Sequence, residues 1–447
     1  MSLSVGKHPA PASLLASEGR PSDASPGTAE TVVMLVTNEG LNDPRVLRAI
    51  HTARRAGYGV RLVCRAPFSG KPVPVMSDEI DIHRVARPWG WSRLKQLFAR
   101  RHRTSAVEPS DRPGARPYWI RPWELWVLGG IAWFTLQAVA KVRRFSAGLY
   151  HANDLDTLPA AVILSRLNNV PLLYDAHELF SDQFNRTSRQ FSGILFGLER
   201  WLIRFAHKVV TVNHSIAETL AAWHKVPVPA VVMNCPLAVE VVRPRTDRLG
   251  GFSTRPARLI YQGIFMRDRG LEELIRSAAW YESAELYLRG YGALEGTLRA
   301  LVKAEHLQNR VYFLPPIAAD QLVESLAGFD VGLIPYRATS LNNRLCLPNK
   351  IFEYLQAGLA LAVSALPEME RVVEETGAGE VFNPEQPRDI ARAVNAMTGN
   401  ANRLAELKGR ARAAAQRYTW EAQGAPQLLA CYRELTGPTF AGRRSDR

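Results

Sequence analysis

Cysteine is scarce in this chain. Four occur in 447 residues, Cys64, Cys235, Cys346 and Cys431, and no two form a CxxC pair. That spacing excludes a disulfide framework and a cysteine-rich zinc site, and it suits a reducing compartment. No GKS/T follows a glycine-rich loop, so a P-loop is missing, and no dinucleotide fingerprint occurs either. Residues 1–30 are rich in Pro, Ser, Ala and Gly and hold no apolar run of signal-peptide length. They read as a disordered tail on a cytoplasmic protein. Acidic residues are outnumbered, 42 against 56 Lys and Arg, leaving a net charge of +14. The excess favours phosphate-bearing ligands or an acidic membrane surface. Nucleic acid is not expected, because no recognition module accompanies the basic residues.

What remains is ordinary globular composition, 47% hydrophobic and 22% charged. The length calls for two domains of roughly 200 residues each. A buried-type strand at 31–37 (TVVMLVT), a polar turn and an amphipathic helix at 45–56 lead to a second strand at 60–64. This βαβ opening implies a parallel sheet with a crevice beyond its strand ends, lined by Asn38, Asn42, Asp43 and Arg45.

The rhythm then lapses. Residues 82–122 carry ten Arg and Lys against two acids, with Trp89 and Trp91 ahead of an apolar face formed by Leu94, Leu97 and Phe98. Such a piece suits peripheral attachment to an anionic bilayer, here the inner face of the membrane. The apolar run at 123–140 contains Glu124, Gln137 and a Gly pair, which favour a buried helix over a membrane span. Further on, strand ends at 148–151 and 171–174 deliver His151, Asn153, Asp154, Asp175, His177 and Glu178 to one side of the sheet. The cluster has no HxH or HxxxH spacing, so sugar hydroxyls are a better match than a metal ion.

The domains expected are an N-terminal one over 31–235, including the 82–122 insertion, a Pro- and Arg-rich linker at 236–256, and a C-terminal one over 257–417. A closing helix and tail, 418–447, would cross back onto the first domain. Strands are expected at 258–262, 285–289, 311–314, 331–336 and 359–363, and helices at 294–305, 320–326, 387–397, 402–416 and 420–435.

Three turns of the second domain carry the chemistry. Gly263, lacking a side chain, lets a phosphate or backbone approach closely. Arg269 stands just before one helix start and Lys350 within the first turn of another, where a helix end with free N–H groups favours anions. Glu353, one turn on, can hold neutral hydroxyls such as a ribose offers. A plain surface helix with a solvated Lys and Glu would look the same taken alone. Gly290-Tyr291-Gly292 is a weak phosphate-loop signal by itself.

Several stretches together carry a family resemblance: DPRVLRAIHTARRAGYGVRLVCR, YHANDLDTLPAA, YDAHELF, YQGIFMRDRGLEELI, LRGYGALEGTL, LPNKIFEYLQAG and YTWE. The chain resembles the GT-B glycosyltransferases of family 4 over 31–435. The resemblance implies two Rossmann-like domains, each with a parallel sheet, facing across a cleft. It implies a UDP- or GDP-sugar donor mainly on the second domain, a glycan or lipid-linked acceptor on the first, and metal-independent transfer with retention. By the same resemblance Arg269, with Arg267 nearby, clamps the donor diphosphate, and Asn349 and Lys350 touch phosphate or donor sugar. Glu353 holds the ribose, Gly263 and Gly290 line the donor loops, and His151 and His177 face the cleft from the first domain. The chain departs from the family pattern at Ile264, Leu345 and Asn153. Two other readings stand beside this one: a sugar-nucleotide epimerase using Asp154, Asp175 and Glu178, and a non-catalytic module that binds sugar nucleotides or membranes.

Overall fold

The computed structural model describes residues 30–40, 43–67, 80–87, 118–183, 187–239, 255–318 and 321–437. Of the expectations above, the tail, Asn42, the tryptophans and apolar face of the basic piece, and most of the linker lie outside these residues.

The first half builds a sheet of seven parallel strands among the described residues: β1 (Thr31–Leu35), β2 (Gly59–Arg65), β3 (Asp81–Val85), β4 (Leu149–Asn153), β5 (Leu172–Ala176), β6 (Lys208–Thr211) and β7 (Ala230–Val231). Their order is β3-β2-β1-β4-β5-β6-β7. Burial on both faces explains why β1 reads as a nearly unbroken apolar run, while β4 and β5, buried along their whole length, carry His151, Asn153 and Asp175 towards their C-terminal ends. The second half repeats the plan in six strands, β8 (Ala257–Ile264), β9 (Ala284–Tyr291), β10 (Val311–Leu314), β11 (Val331–Ile334), β12 (Ala360–Ser364) and β13 (Gly379–Phe382), ordered β10-β9-β8-β11-β12-β13. In each sheet the winding reverses beside the first strand, between β1 and β4 and between β8 and β11. Ligands of doubly wound sheets collect outside the strand ends at this reversal.

Local signals set the helices. Asp43 accepts from the N–H groups of Arg45 and Val46 and Pro44 takes the first position of Pro44–Arg55. The 21-residue helix Pro122–Val142 has the length and hydropathy of a span, yet Ile131, Phe134, Ala138 and Val142 are core residues of the first domain. Its Glu124, fully buried, accepts from Arg121 N, Ser188 N and Ser188 Oγ and so fastens this helix to Arg189–Leu202.

The closing helix Ala425–Thr436 leaves the second domain and packs Leu428, Cys431, Tyr432 and Leu435 against Val32, Met34, Val46 and Ile50. Trp420 Nε1 donates to Thr52 Oγ1 at 2.7 Å just before it. The short helix Leu341–Arg344 also bridges the halves. Asn342 accepts from Leu179 N at 2.9 Å and donates to Glu178 at 2.8 Å, while Asn213 Nδ2 donates to the Leu345 carbonyl at 2.8 Å.

The structure corrects several expectations. Residues 81–85 are an edge strand paired with β2, not part of an irregular insertion; its Asp81, His83 and Arg84, divided between the two faces, hid the alternation. Helix Pro367–Thr376 and β13 complete the second sheet and were not anticipated. Where a helix was expected at 320–326, the described residues form only a 3-10 turn, Glu324–Leu326. The expected helix from Trp420 opens as a π-turn, Trp420–Gly424, that turns the chain back towards the first domain.

Candidate active site

The donor-side residues meet at one aromatic ring. The Arg269 guanidinium carbon lies 4.0 Å from the Tyr336 ring centroid. Lys350 Nζ lies 5.7 Å from the same centroid and donates to Tyr336 Oη at 3.1 Å. Lys350 reaches this spot across Gly263: a Cβ there would stand 2.6 Å from Lys350 Cε, and the φ of +149° disfavours any other residue. In sequence Tyr336 stands only as the end of the strand expected at 331–336 and is not singled out as a site residue. Its position at the end of β11 next to the reversal is the signal that finds it.

Glu353, on the helix Lys350–Gln356, accepts from the side-chain amide of the buried Gln262 at 3.0 Å. Gln262 Oε1 has no hydrogen-bond partner. The helix start itself departs from expectation. The N–H groups of Ile351, Phe352 and Glu353 bond to the carbonyls of Pro348 and Asn349, because the first turn is tightly wound. With seven residues the helix contributes a small dipole, so the full charge of Lys350 carries the attraction for an anion. Gly290 is explained by packing alone, since a Cβ there would stand 1.8 Å from the Gly263 carbonyl oxygen. Ile264 is exposed and gives no charge at this loop.

On the first domain, the histidines separate. His177 remains 17% exposed at the cleft, with Nδ1 3.2 Å from Asp154 and Nε2 3.5 Å from Asp175. Burial opposes its charge, but Asp154 and Asp175 push it up to about 9, so it is a cation at neutral pH. Asp154, 25% exposed and in the left-handed backbone region, is raised by burial to about 7.

His151 lies wholly inside, hydrogen-bonded at 2.7 Å to Tyr432 Oη of the crossing helix and 3.5 Å from Asp175. Burial lowers its pKa, so it is neutral. The expected place for it at the cleft is therefore corrected to a supporting one beneath His177. Asn153 is buried too and donates to the Leu35 carbonyl. Arg45, expected in the crevice, is instead a buried bidentate partner of Asp175, at 2.7 and 2.9 Å, and donates to Val232 O. Burial works against the charge on Asp175, yet Arg45 and then His177 hold its carboxyl well below the usual range. Sequence reasoning missed Tyr432, because its partner lies 281 residues away.

The two sides share one cleft. Glu178, raised by burial, feels both His177 of its own domain and Arg269 of the other. Burial pushes Cys346 up to about 12 against the pull of Arg269 and Lys350, with Glu178 also in range. Of three carboxylates near the cleft, Asp175 is locked to Arg45, Glu178 accepts from Asn342, and Asp154 accepts from His177 N at 3.0 Å while facing His177 Nδ1 at 3.2 Å. Among the described residues no group of three or more His, Cys, Asp or Glu side chains could hold a metal ion.

Two doubly wound domains facing a cleft of this kind define the GT-B fold. Residues 43–236 match the glycosyl transferase 4-like domain and residues 256–400 match the glycosyl transferases group 1 model. The chain belongs to the GT-B glycosyltransferases of this group 1, 4-like kind. Among solved structures it is similar to sucrose-phosphate synthase from Thermosynechococcus elongatus, with 18% identity, TM-score 0.70, and coverage of 91% of this chain and 99% of that one. HepE of Anabaena in complex with UDP-glucose aligns with 18% identity and TM-score 0.61, covering 91% of this chain and 100% of HepE. The lipopolysaccharide outer core galactosyltransferase WaaB aligns with 13% identity and TM-score 0.58, again covering 91% and 100%. No curated protein sequence matches.

Proposed function

We propose that the chain is a retaining glycosyltransferase that moves a hexose-type sugar from a UDP- or GDP-sugar to a glycan or lipid-linked acceptor, without a metal ion, in the cytoplasm. The observation that carries this reading is the convergence of Arg269 and Lys350 on Tyr336 beside Gly263, at the strand reversal of the second sheet. A diphosphate leaving group gains charge as the glycosidic bond breaks, and two fixed cations stabilise it where water is limited. Arg267 stands two residues from Arg269 and can add to that charge, while Asn349, next to Lys350 at the helix start, would touch phosphate or donor sugar. Glu353, held by Gln262, accepts from ribose hydroxyls.

The acceptor approaches from the first domain past Asp154 and His177. A histidine held near 9 is already protonated and does not serve as a base. The acceptor proton passes instead to an oxygen of the departing phosphate on the same face of the sugar, consistent with retention. Similarity of HepE to this chain, with UDP-glucose in its site, favours a uridine donor among those tested first.

The test is a donor panel read by release of free UDP or GDP, with soluble and membrane extracts as acceptor sources. Release from one donor that depends on an extract supports transfer. An epimerised sugar nucleotide formed without any acceptor would overturn it.

A further inference from the structure

Three helices lie side by side on one face of the first sheet: Pro122–Val142, Leu158–Asn168 and Arg189–Leu202. Each sinks one side into the same core, through residues such as Phe134, Leu164 and Leu195. Their outer sides are unusual. From 125 to 140 the exposed positions of the longest helix are Leu125, Gly129, Ala132, Trp133, Leu136 and Ala140, and none carries a charge or a hydroxyl. A helix flanking a water-facing domain presents its polar residues there. Here Leu136 is 67% exposed, and on the neighbouring helices Leu167 is 62% and Trp201 53% exposed. Trp119, 73% exposed, stands just before the first helix.

Charge on this face has one sign. The two acids of the three helices, Glu124 and Glu199, are both fully buried. The exposed charges are Lys141, Arg166, Arg189 and Arg200, with Arg143, Arg144 and Arg204 following at helix ends. We propose that this three-helix face docks the protein flat on an anionic phospholipid bilayer, its tryptophans and leucines entering the headgroup boundary and its basic rim meeting lipid phosphates. Apolar side chains joined to a basic rim supply the two signals that stable peripheral binding needs. A second copy of the chain is disfavoured as occupant, because the two basic rims would repel. Crossover helices run antiparallel to the strands, so Trp119 and Leu125 lie at the strand edge that also carries Asp154 and His177. Docking thus brings the first-domain lip of the cleft to the headgroup layer; only the further step, that a lipid-linked acceptor enters there, rests on the transferase reading.

The test is flotation of the full chain with vesicles of phosphatidylcholine alone or with equimolar phosphatidylglycerol. The parent floats with the anionic vesicles, less so as salt rises, and poorly with phosphatidylcholine. The triple variant Leu136→Asp, Leu167→Asp, Trp201→Asp loses roughly tenfold or more of that binding while keeping its melting temperature and its UDP affinity. Brominated phosphatidylglycerol quenches parent tryptophan fluorescence, and less so in Trp119→Phe, Trp201→Phe, which gives a readout free of the triple variant's folding. Parent-like binding by the triple variant, no quenching of the parent, or a parent dimer that the triple variant turns into a monomer would each overturn the proposal. Donor turnover enters none of these measurements, so failure here and failure of the transferase reading are told apart.

Discussion

Arg269, from a loop, and Lys350, at a helix start 81 residues further on, place their charges against the same ring, 4.0 and 5.7 Å from the centroid of Tyr336. Two cations brought this close in a partly shielded cleft repel one another unless an anion sits between them. The pairing therefore stores its use in the bound state. Arg269→Ala and Lys350→Ala are each expected to slow donor turnover by ~100-fold or more, about 3 kcal/mol of transition-state stabilisation. Release of UDP or GDP measures the rate, and titration calorimetry measures nucleotide binding. Parent-like values in both variants would remove the diphosphate assignment.

Glu353 accepts from the Gln262 amide through Oε2 at 3.0 Å. If it holds the ribose, Glu353→Gln weakens affinity for UDP or GDP by roughly 10- to 100-fold, the cost of a lost charge-assisted hydrogen bond. Inhibition by inorganic pyrophosphate, which has no ribose, should stay near the parent value. Equal losses for both ligands would show that Glu353 acts on the loop as a whole.

His177 gives a pH signature. Its folded value of about 9 lies above that of an unfolded histidine, near 6.5. The stabilisation is therefore complete below about pH 6.5 and is lost as pH rises through about 9. Full loss amounts to roughly 3 kcal/mol. Urea unfolding at steps across this window should show the decline in the parent and a flatter profile in His177→Asn. An identical decline in the variant would place the titration elsewhere, with Asp154 the neighbouring group to examine next.

The parts legible in sequence are those set by short-range pattern. Apolar runs bounded by glycine gave most strands, and Gly263, Arg269, Lys350 and Glu353 could be placed because each sits at a strand end or helix start. What was not legible depends on pairing over long distances. Arg45 looks like a helix-start cation and becomes the buried partner of Asp175, 130 residues away. His151 looks like a site histidine, yet the crossing helix covers it. Leu345 stands where the family pattern has a glutamate, and it packs instead against the first domain's core, a use that no local spacing reveals. The 81–85 strand was hidden by the charges on its sequence, since an edge strand need bury only one of its faces.

The Arg45–Asp175 pair carries the next expectation. Both side chains are 2% exposed, and Asp175 also lies 3.5 Å from each of His151 and His177. Removing one partner leaves an uncompensated buried charge, so Arg45→Met should cost about 3–5 kcal/mol in unfolding free energy. Asp175→Asn keeps the shape but leaves Arg45 buried without its counter-ion, and should cost a similar amount. It should also lower the pKa of His177, which loses one of its two carboxylates, and nuclear magnetic resonance titration of that ring reads the change. A variant of either kind with parent stability would mean that water reaches the pair.

The C-terminal helix is where sequence order and structure disagree most, because it follows the second domain and completes the first. Tyr432 donates or accepts at 2.7 Å with His151, and Leu428, Cys431 and Leu435 cover the face of β1 and of Pro44–Arg55. Tyr432→Phe removes one buried hydrogen bond, leaves His151 Nδ1 without its partner, and should cost about 1–3 kcal/mol. Truncation after residue 417 is a harsher test. It exposes Val32, Met34, Val46 and Ile50 to water, a loss of about 1.5–3 kcal/mol for each fully uncovered side chain. The first domain should then unfold before the second, giving two transitions by calorimetry where the parent gives one. If the truncated chain melts as the parent does, the helix is an accessory clasp and the first domain's core closes without it.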